Sequence, residues 1–228
     1  MAHTELGAAE GPSRAILVWD FPTRLFHWLT AALIVVAYVT YHFGWMDWHA
    51  RTGDTVLTLV VFRLLWGFFG SQTSRFSRFM AAPHAAVAHL AYIFRREPDR
   101  QVGHNAAGGW MVLMLLALVL GEALSGIYVQ NDVANQGPLT EITPARIANA
   151  ITATHWIFWD WLLAAVALHT LAITLYGAAK GQDLLRPMIT GLKMLPADFA
   201  QPPVASTLRA AFLLGVSALL VAALASYV

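Results

Sequence analysis

Residues 152–177 read TATHWIFWDWLLAAVALHTLAITLYG. The stretch is apolar over its whole length and carries His155 and His169. A helix needs roughly 20 mostly apolar residues to cross a hydrocarbon core about 30 Å thick. Four other stretches meet that demand: 24–43, 50–70, 106–129 and 207–228. Only helices or closed barrels satisfy the backbone in lipid, and these runs are too long and continuous for barrel strands. Trp28, Trp45, Trp48, Trp110, Tyr128, Trp156, Trp159 and Tyr176 stand near span ends, where interfacial aromatics gather.

Composition agrees. Of 228 residues, 58% are hydrophobic and 12% charged. A soluble domain carries about 25% charged residues, so a water-soluble enzyme is excluded. The expected fold is all-α: an integral membrane helical bundle forming a single membrane domain. Its core covers about 17–193, with a fifth, C-terminal span at 207–228. The N-terminus has no short apolar core ending in a cleavage site, so no removable signal peptide is expected. The net charge of +1 says nothing about nucleic acid, and no nucleic-acid partner is expected of a membrane bundle.

The segment 79–94 contains Pro83, His84 and His89 and is too short to span, so it is read as an interfacial helix. With five spans and the N-terminus inside, the inner segments hold Arg14, Arg24, Arg75, Arg78, Arg95, Arg96, Arg100, Lys180, Arg186, Lys193 and Arg209. The outer loops hold Arg51 and Arg146. That asymmetry predicts an N-terminus on the cytoplasmic side. The proline-bearing stretch 178–205 reads as a linker.

Cysteine is absent, which excludes disulfides, thiolate metal sites and covalent haem attachment. Nine histidines are left to hold any metal. Polar groups inside a membrane are costly and need a reason. His155 and His169 are separated by fourteen residues, about 40° short of four helical turns and about 21 Å of rise. Both therefore share one face of one helix, in opposite leaflets. His49 lies at the outer depth and His27 at the inner depth. Pairing by depth gives His49 with His155 and His27 with His169. Two axial imidazoles at each of two depths describe a dihaem b-type cytochrome. Zinc or copper needs three or four ligands converging on one point. Against this stands the plainer reading of a membrane histidine as a hydrogen-bonded interior residue.

The motifs add a resemblance. RLFHW at 24–28, His49 followed by Arg63 in VFRLLWGFFG at 61–70, GHNAAGG at 103–109, the His155–His169 pair and RPMITG at 186–191 resemble bacterial cytochrome b561 and the b-type subunits of nickel–iron hydrogenases. The gamma subunit of formate dehydrogenase shares the ligand plan. The chain departs from the pattern at Ala106, where proline is common, and in its fifth span. The resemblance implies four haem-binding spans, two b-type haems and electron exchange with membrane quinone. It also implies a redox partner: a soluble or peripheral dehydrogenase, a hydrogenase or a cytochrome c. Rival readings are a stand-alone superoxide:quinone oxidoreductase of the same fold, or a non-redox membrane anchor or transporter.

Arg24 and Arg63 are candidates to pair with haem propionates, or Arg24 is a topogenic charge. His104 and Asn105, beside Gly108 and Gly109, form a candidate quinone site, with the glycines expected to leave room for a ring. The alternative for this pair is a helix cap with an interfacial histidine. Glu122 and Asp160 are read as proton-path groups, as part of the outer haem's hydrogen-bonding environment, or as satisfied inward-facing residues. His42 is a rival to His49 for the outer pair, and His3, His84 and His89 are read as interfacial or solvated.

Overall fold

The computed structural model describes residues 12–91, 101–129 and 144–226. Five helices are long and apolar enough to cross a membrane: α1 (Phe21–His42), α2 (Met46–Phe69), α5 (Ala106–Gly126), α6 (Ala145–Leu175) and α8 (Thr207–Ser226). The chain is an all-α multi-pass membrane bundle. Helix α6 starts earlier than the hydropathy run suggested and continues as a π-helical turn over Tyr176–Lys180. Short helices α3 (Phe76–Phe79), α4 (Pro83–Ala91) and α7 (Leu185–Thr190) fill the connections. At 1.5 Å per residue α4 is about 13 Å long, too short to span. Residues 92–94 of that expected segment, His3, Arg95, Arg96, Arg100, most of the second outer loop and 227–228 lie outside the described residues.

Helix α2 is the central element. Val56 and Val60 pack with Val119 of α5 and Leu162 of α6, and Leu33 and Ile34 of α1 close the cluster. Its other flank meets α8 through Phe62, Trp66, Ala210 and Leu213. The fifth span packs on α2 from outside, and its Val221 joins Leu57 of α2 and Ile127 at the end of α5 in a further cluster. Gly44, with φ of 69°, turns the chain between α1 and α2, a backbone region that side-chain-bearing residues avoid.

The start of α1 is tied down twice by one carboxylate. Asp20 Oδ1 accepts from the Thr23 amide at 2.8 Å as an N-cap, and Oδ2 accepts from Trp66 Nε1 at 3.1 Å. Thr23 and Ser74 share a hydroxyl–hydroxyl bond of 2.7 Å. The N-terminal end of α1 is thereby locked to the C-terminal end of α2 and the turn that follows it.

One feature contradicts the linker reading of 178–205. Strand β1 (Ser13–Leu17) pairs antiparallel with β2 (Leu192–Pro196), register Ser13↔Pro196 to Leu17↔Leu192. Ile16, Val18, Trp19 and Leu195 form a small core beneath this ribbon. The Val18 and Trp19 amides both donate to the Gly191 carbonyl, at 2.8 and 3.2 Å. At Gly191, φ is 84°, and a Cβ would lie 2.7 Å from the Trp19 carbonyl oxygen. The segment after α6 is therefore a strap that clamps the N-terminal strand.

Candidate functional site

Helix α6 carries two histidines that each face a partner. The His27 and His169 ring centroids are 6.2 Å apart, with planes at 52°. The His49 and His155 centroids are 6.5 Å apart, with planes at 87°. An imidazole nitrogen binds a first-row metal at about 2.0–2.1 Å and its ring centre lies roughly 1.1 Å behind, so two rings flanking one ion sit about 6.3 Å apart. Both pairs have that spacing. Among the described residues no three His, Cys, Asp or Glu side chains converge on one point, so the arrangement suits two axial ligands and not a tetrahedral ion.

Hydrogen bonds orient the outer pair. His49 Nδ1 lies 2.9 Å from the Ala37 carbonyl, which can only accept. The proton is therefore on Nδ1 and the Nε2 lone pair is free to bind a metal. His155 Nδ1 lies 3.0 Å from the Glu122 carbonyl and 3.0 Å from Ser125 Oγ, which assigns the same tautomer. Its Nε2 is 3.3 Å from Glu122 Oε1. A metal on Nε2 and this carboxyl contact exclude each other. Gly126 leaves space for the ring: a Cβ there would sit 3.3 Å from His155 Cε1.

The inner pair stands beside buried groups that lack partners. His27 Nδ1, Arg63 Nη1, Arg24 Nε and His104 Nδ1 are all covered and make no hydrogen bond. Arg63 is 3% exposed, and its guanidinium lies 5.3 Å from the Phe76 ring centre. A buried cation with an unused donor is costly unless an anion meets it. Arg24 is partly committed, since Nη1 donates to the Ile189 carbonyl at 2.6 Å and braces the strap. His104 packs between Trp19 and Phe79, at centroid distances of 4.5 and 4.8 Å. Burial, then the charges of Arg63, His169 and His27, pushes its pKa down to about 3, so His104 is neutral.

Asn105 is the N-cap of α5: Oδ1 accepts from the Gly108 amide at 2.7 Å. Its Nδ2 donates to the Tyr176 hydroxyl at 3.2 Å. The glycines do not leave the open space expected of them. A Cβ on Gly108 would lie 3.2 Å from Asn105 Oδ1, and one on Gly109 would lie 2.6 Å from the Phe79 carbonyl oxygen. Gly109 is the point where α5 crosses α3. Gly109→Val should lower the thermal midpoint in detergent, by an overpacking cost of about 1–3 kcal/mol. An unchanged midpoint would show that α3 yields without cost.

His42 packs against Tyr38 at 4.2 Å with the planes tilted by 38°, and the Tyr41 ring contacts both His42 and His49, at 5.7 and 6.1 Å. His84 and Asp160 are exposed. Two residues escaped the sequence reading as site members. Tyr176 passed for a belt aromatic and His89 for an interfacial residue, yet His89 Nε2 and the Tyr176 hydroxyl are 2.8 Å apart. The signal for Tyr176 was present: it follows His169 by seven residues, about 20° short of two turns.

Residues 18–191 match the family model for prokaryotic cytochrome b561. The chain belongs to the prokaryotic cytochrome b561 family. This cytochrome is also similar to a probable Ni/Fe-hydrogenase B-type cytochrome subunit of Azotobacter chroococcum mcd 1. The two are 24% identical over 221 residues, covering 81% of this chain and 90% of the relative. No solved structure matches the chain. The family makes it a membrane b-type cytochrome, a haem protein of electron transfer. The matched segment ends at the strap, so α8 lies outside it.

Proposed function

We propose that this cytochrome carries electrons across the bacterial cytoplasmic membrane through two b haems, between membrane quinone and a redox partner protein. The carrying observation is the two histidine pairs, 6.2 and 6.5 Å between ring centres, set fourteen residues apart along α6. His27 and His169 would hold one haem and His49 and His155 the other. Bound haem supplies an iron that changes by one electron. The chain supplies the rest. Backbone carbonyls hold the outer imidazoles in the metal-binding tautomer. Arg63 offers a buried guanidinium to a propionate of the inner haem, with Arg24 Nε beside the strap as a second donor.

The N-terminus, strap and most basic residues would face the cytoplasm. The quinone headgroup would meet the inner haem near His104 and Asn105. The outer rim is left to the partner: a soluble or peripheral dehydrogenase, a hydrogenase or a cytochrome c. The relative's printed name favours a hydrogenase. Purified protein should be red, with a b-type reduced-minus-oxidised spectrum and two acid–acetone-extractable haems per chain. One haem per chain would sink the two-haem assignment, and a colourless protein the redox reading altogether.

A further inference from the structure

The strap carries an apolar surface that the fold does not cover. On α7, Leu185 and Ile189 stand one turn apart, and on β2 Leu192 and Met194 alternate outward while Leu195 turns into the small core. These four outward side chains are 45–56% exposed. The register sets Leu17 opposite Leu192 and Ala15 opposite Met194, which extends the same face onto β1. The ribbon's two cations, Arg14 and Lys193, share the other face with Ile16 and Leu195 and donate to the Phe199 and Gln101 carbonyls. An antiparallel ribbon with one face in water turns its polar residues to that face. This ribbon does the reverse. A contiguous exposed apolar patch of this kind marks a contact surface.

The position of the strap says what covers it. Phe21, Leu25, Trp28 and Leu29 form one row along α1, by helical spacing, and all four are exposed. On a membrane span that row faces lipid. The strap is fastened to the same stretch of α1. Trp28 Nε1 donates to the Met188 carbonyl at 3.1 Å, and Arg24 Nη1 to the Ile189 carbonyl at 2.6 Å. The end of α7 therefore lies beside α1 at about 5–10 Å from its first residue. That is the level of the boundary between headgroups and acyl chains, and the strap's apolar face continues the lipid-facing row of α1.

We propose that the strap is an interfacial membrane anchor, its outward face seated among the phospholipids of the leaflet at the N-terminal end of α1. Leu185 and Ile189 enter the boundary from α7, and Leu192 and Met194 enter it from β2. The bonds to Arg24 and Trp28 carry this seat to α1 on either side of His27. The bilayer thereby fastens the helix start that bears one of the paired histidines.

The chain contains no cysteine, so a single introduced one takes one spin label. The full chain carrying Ile189→Cys or Met194→Cys is reconstituted in phosphatidylcholine–phosphatidylglycerol nanodiscs. Leu219→Cys, on the exposed side of α8, and Asp198→Cys, at an exposed turn, serve as lipid and water references. Oxygen and nickel-chelate accessibilities should place the labels at positions 189 and 194 about 5–10 Å into the boundary, between the two references. In the wild-type chain, a phospholipid with a diazirine near its headgroup should leave adducts within residues 185–194, which keeps the test open if a labelled variant fails to fold. Nickel accessibility at both positions equal to that at position 198 would put the strap in water and overturn the anchor. Labels hidden from oxygen and nickel alike would also overturn it, and dipolar broadening between copies would then give the face to a second copy of the chain. A wild-type strap free of adducts, with adducts present on α8, would overturn it as well.

Discussion

His169→Ala should leave the purified protein with a single low-spin haem in place of two, and His27→Ala should remove the same one. On the proposed pairing the inner haem would be held by His27 and His169, and among the described residues no third His, Cys, Asp or Glu converges with them. Neither ring can be replaced by a neighbour. Among the described residues His104 is another histidine in this region, and it is packed between Trp19 and Phe79. If an altered haem stays bound to the remaining imidazole, it becomes five-coordinate and high-spin. Redox titration with electron paramagnetic resonance separates these cases. His49→Ala and His155→Ala should abolish the other low-spin signal, leaving the first intact. The pairing would be wrong if His27→Ala and His169→Ala erased different signals, or if His42→Ala erased one while His49→Ala did not.

Trp66→Ala should be the most damaging substitution away from the histidines. The indole is fully buried, stacks on Phe62 at 5.7 Å, and fills the seam between α2 and α8 with Ala210 and Leu213. Deleting a buried aromatic ring costs about 3–5 kcal/mol. The change also orphans Asp20 Oδ2, at a further cost of about 1–3 kcal/mol. Because Asp20 caps α1, the start of the helix that bears His27 would loosen as well. Trp66→Phe separates the two effects, since it keeps most of the packing and loses only the N–H. The half-life of haem retention at raised temperature in detergent should fall steeply in the alanine variant and modestly in the phenylalanine one. Equal half-lives for both would assign the whole effect to the hydrogen bond.

The membrane class, the five spans and the shared face of His155 and His169 were legible in the residues because they depend on local quantities. Apolar run length decides whether a helix crosses lipid, and 100° per residue decides that His155 and His169 share a face. The same rule places Tyr176 beneath them. Helix ends were less legible. Hydropathy sees the lipid-facing middle of α6, whereas its polar first turns from Ala145 are held by backbone bonds that do not register on an apolar scale.

Tertiary structure alone decided what distant residues do for one another. SRAIL and LKMLP are five residues each and their paired residues lie about 180 positions apart, too short for an alternating pattern to announce a strand. Each becomes a strand because the other supplies its backbone partners. Arg24 read as a propionate partner or a topogenic charge, and only the fold showed the Ile189 carbonyl claiming one of its nitrogens. Gly109 looked like room for a ligand until Phe79 filled it. His89 looked solvated until the end of α6 brought it the Tyr176 hydroxyl. Periodicity within a helix fixes which way a side chain points. What it meets there is set by long-range packing, which the order of residues along one segment does not encode.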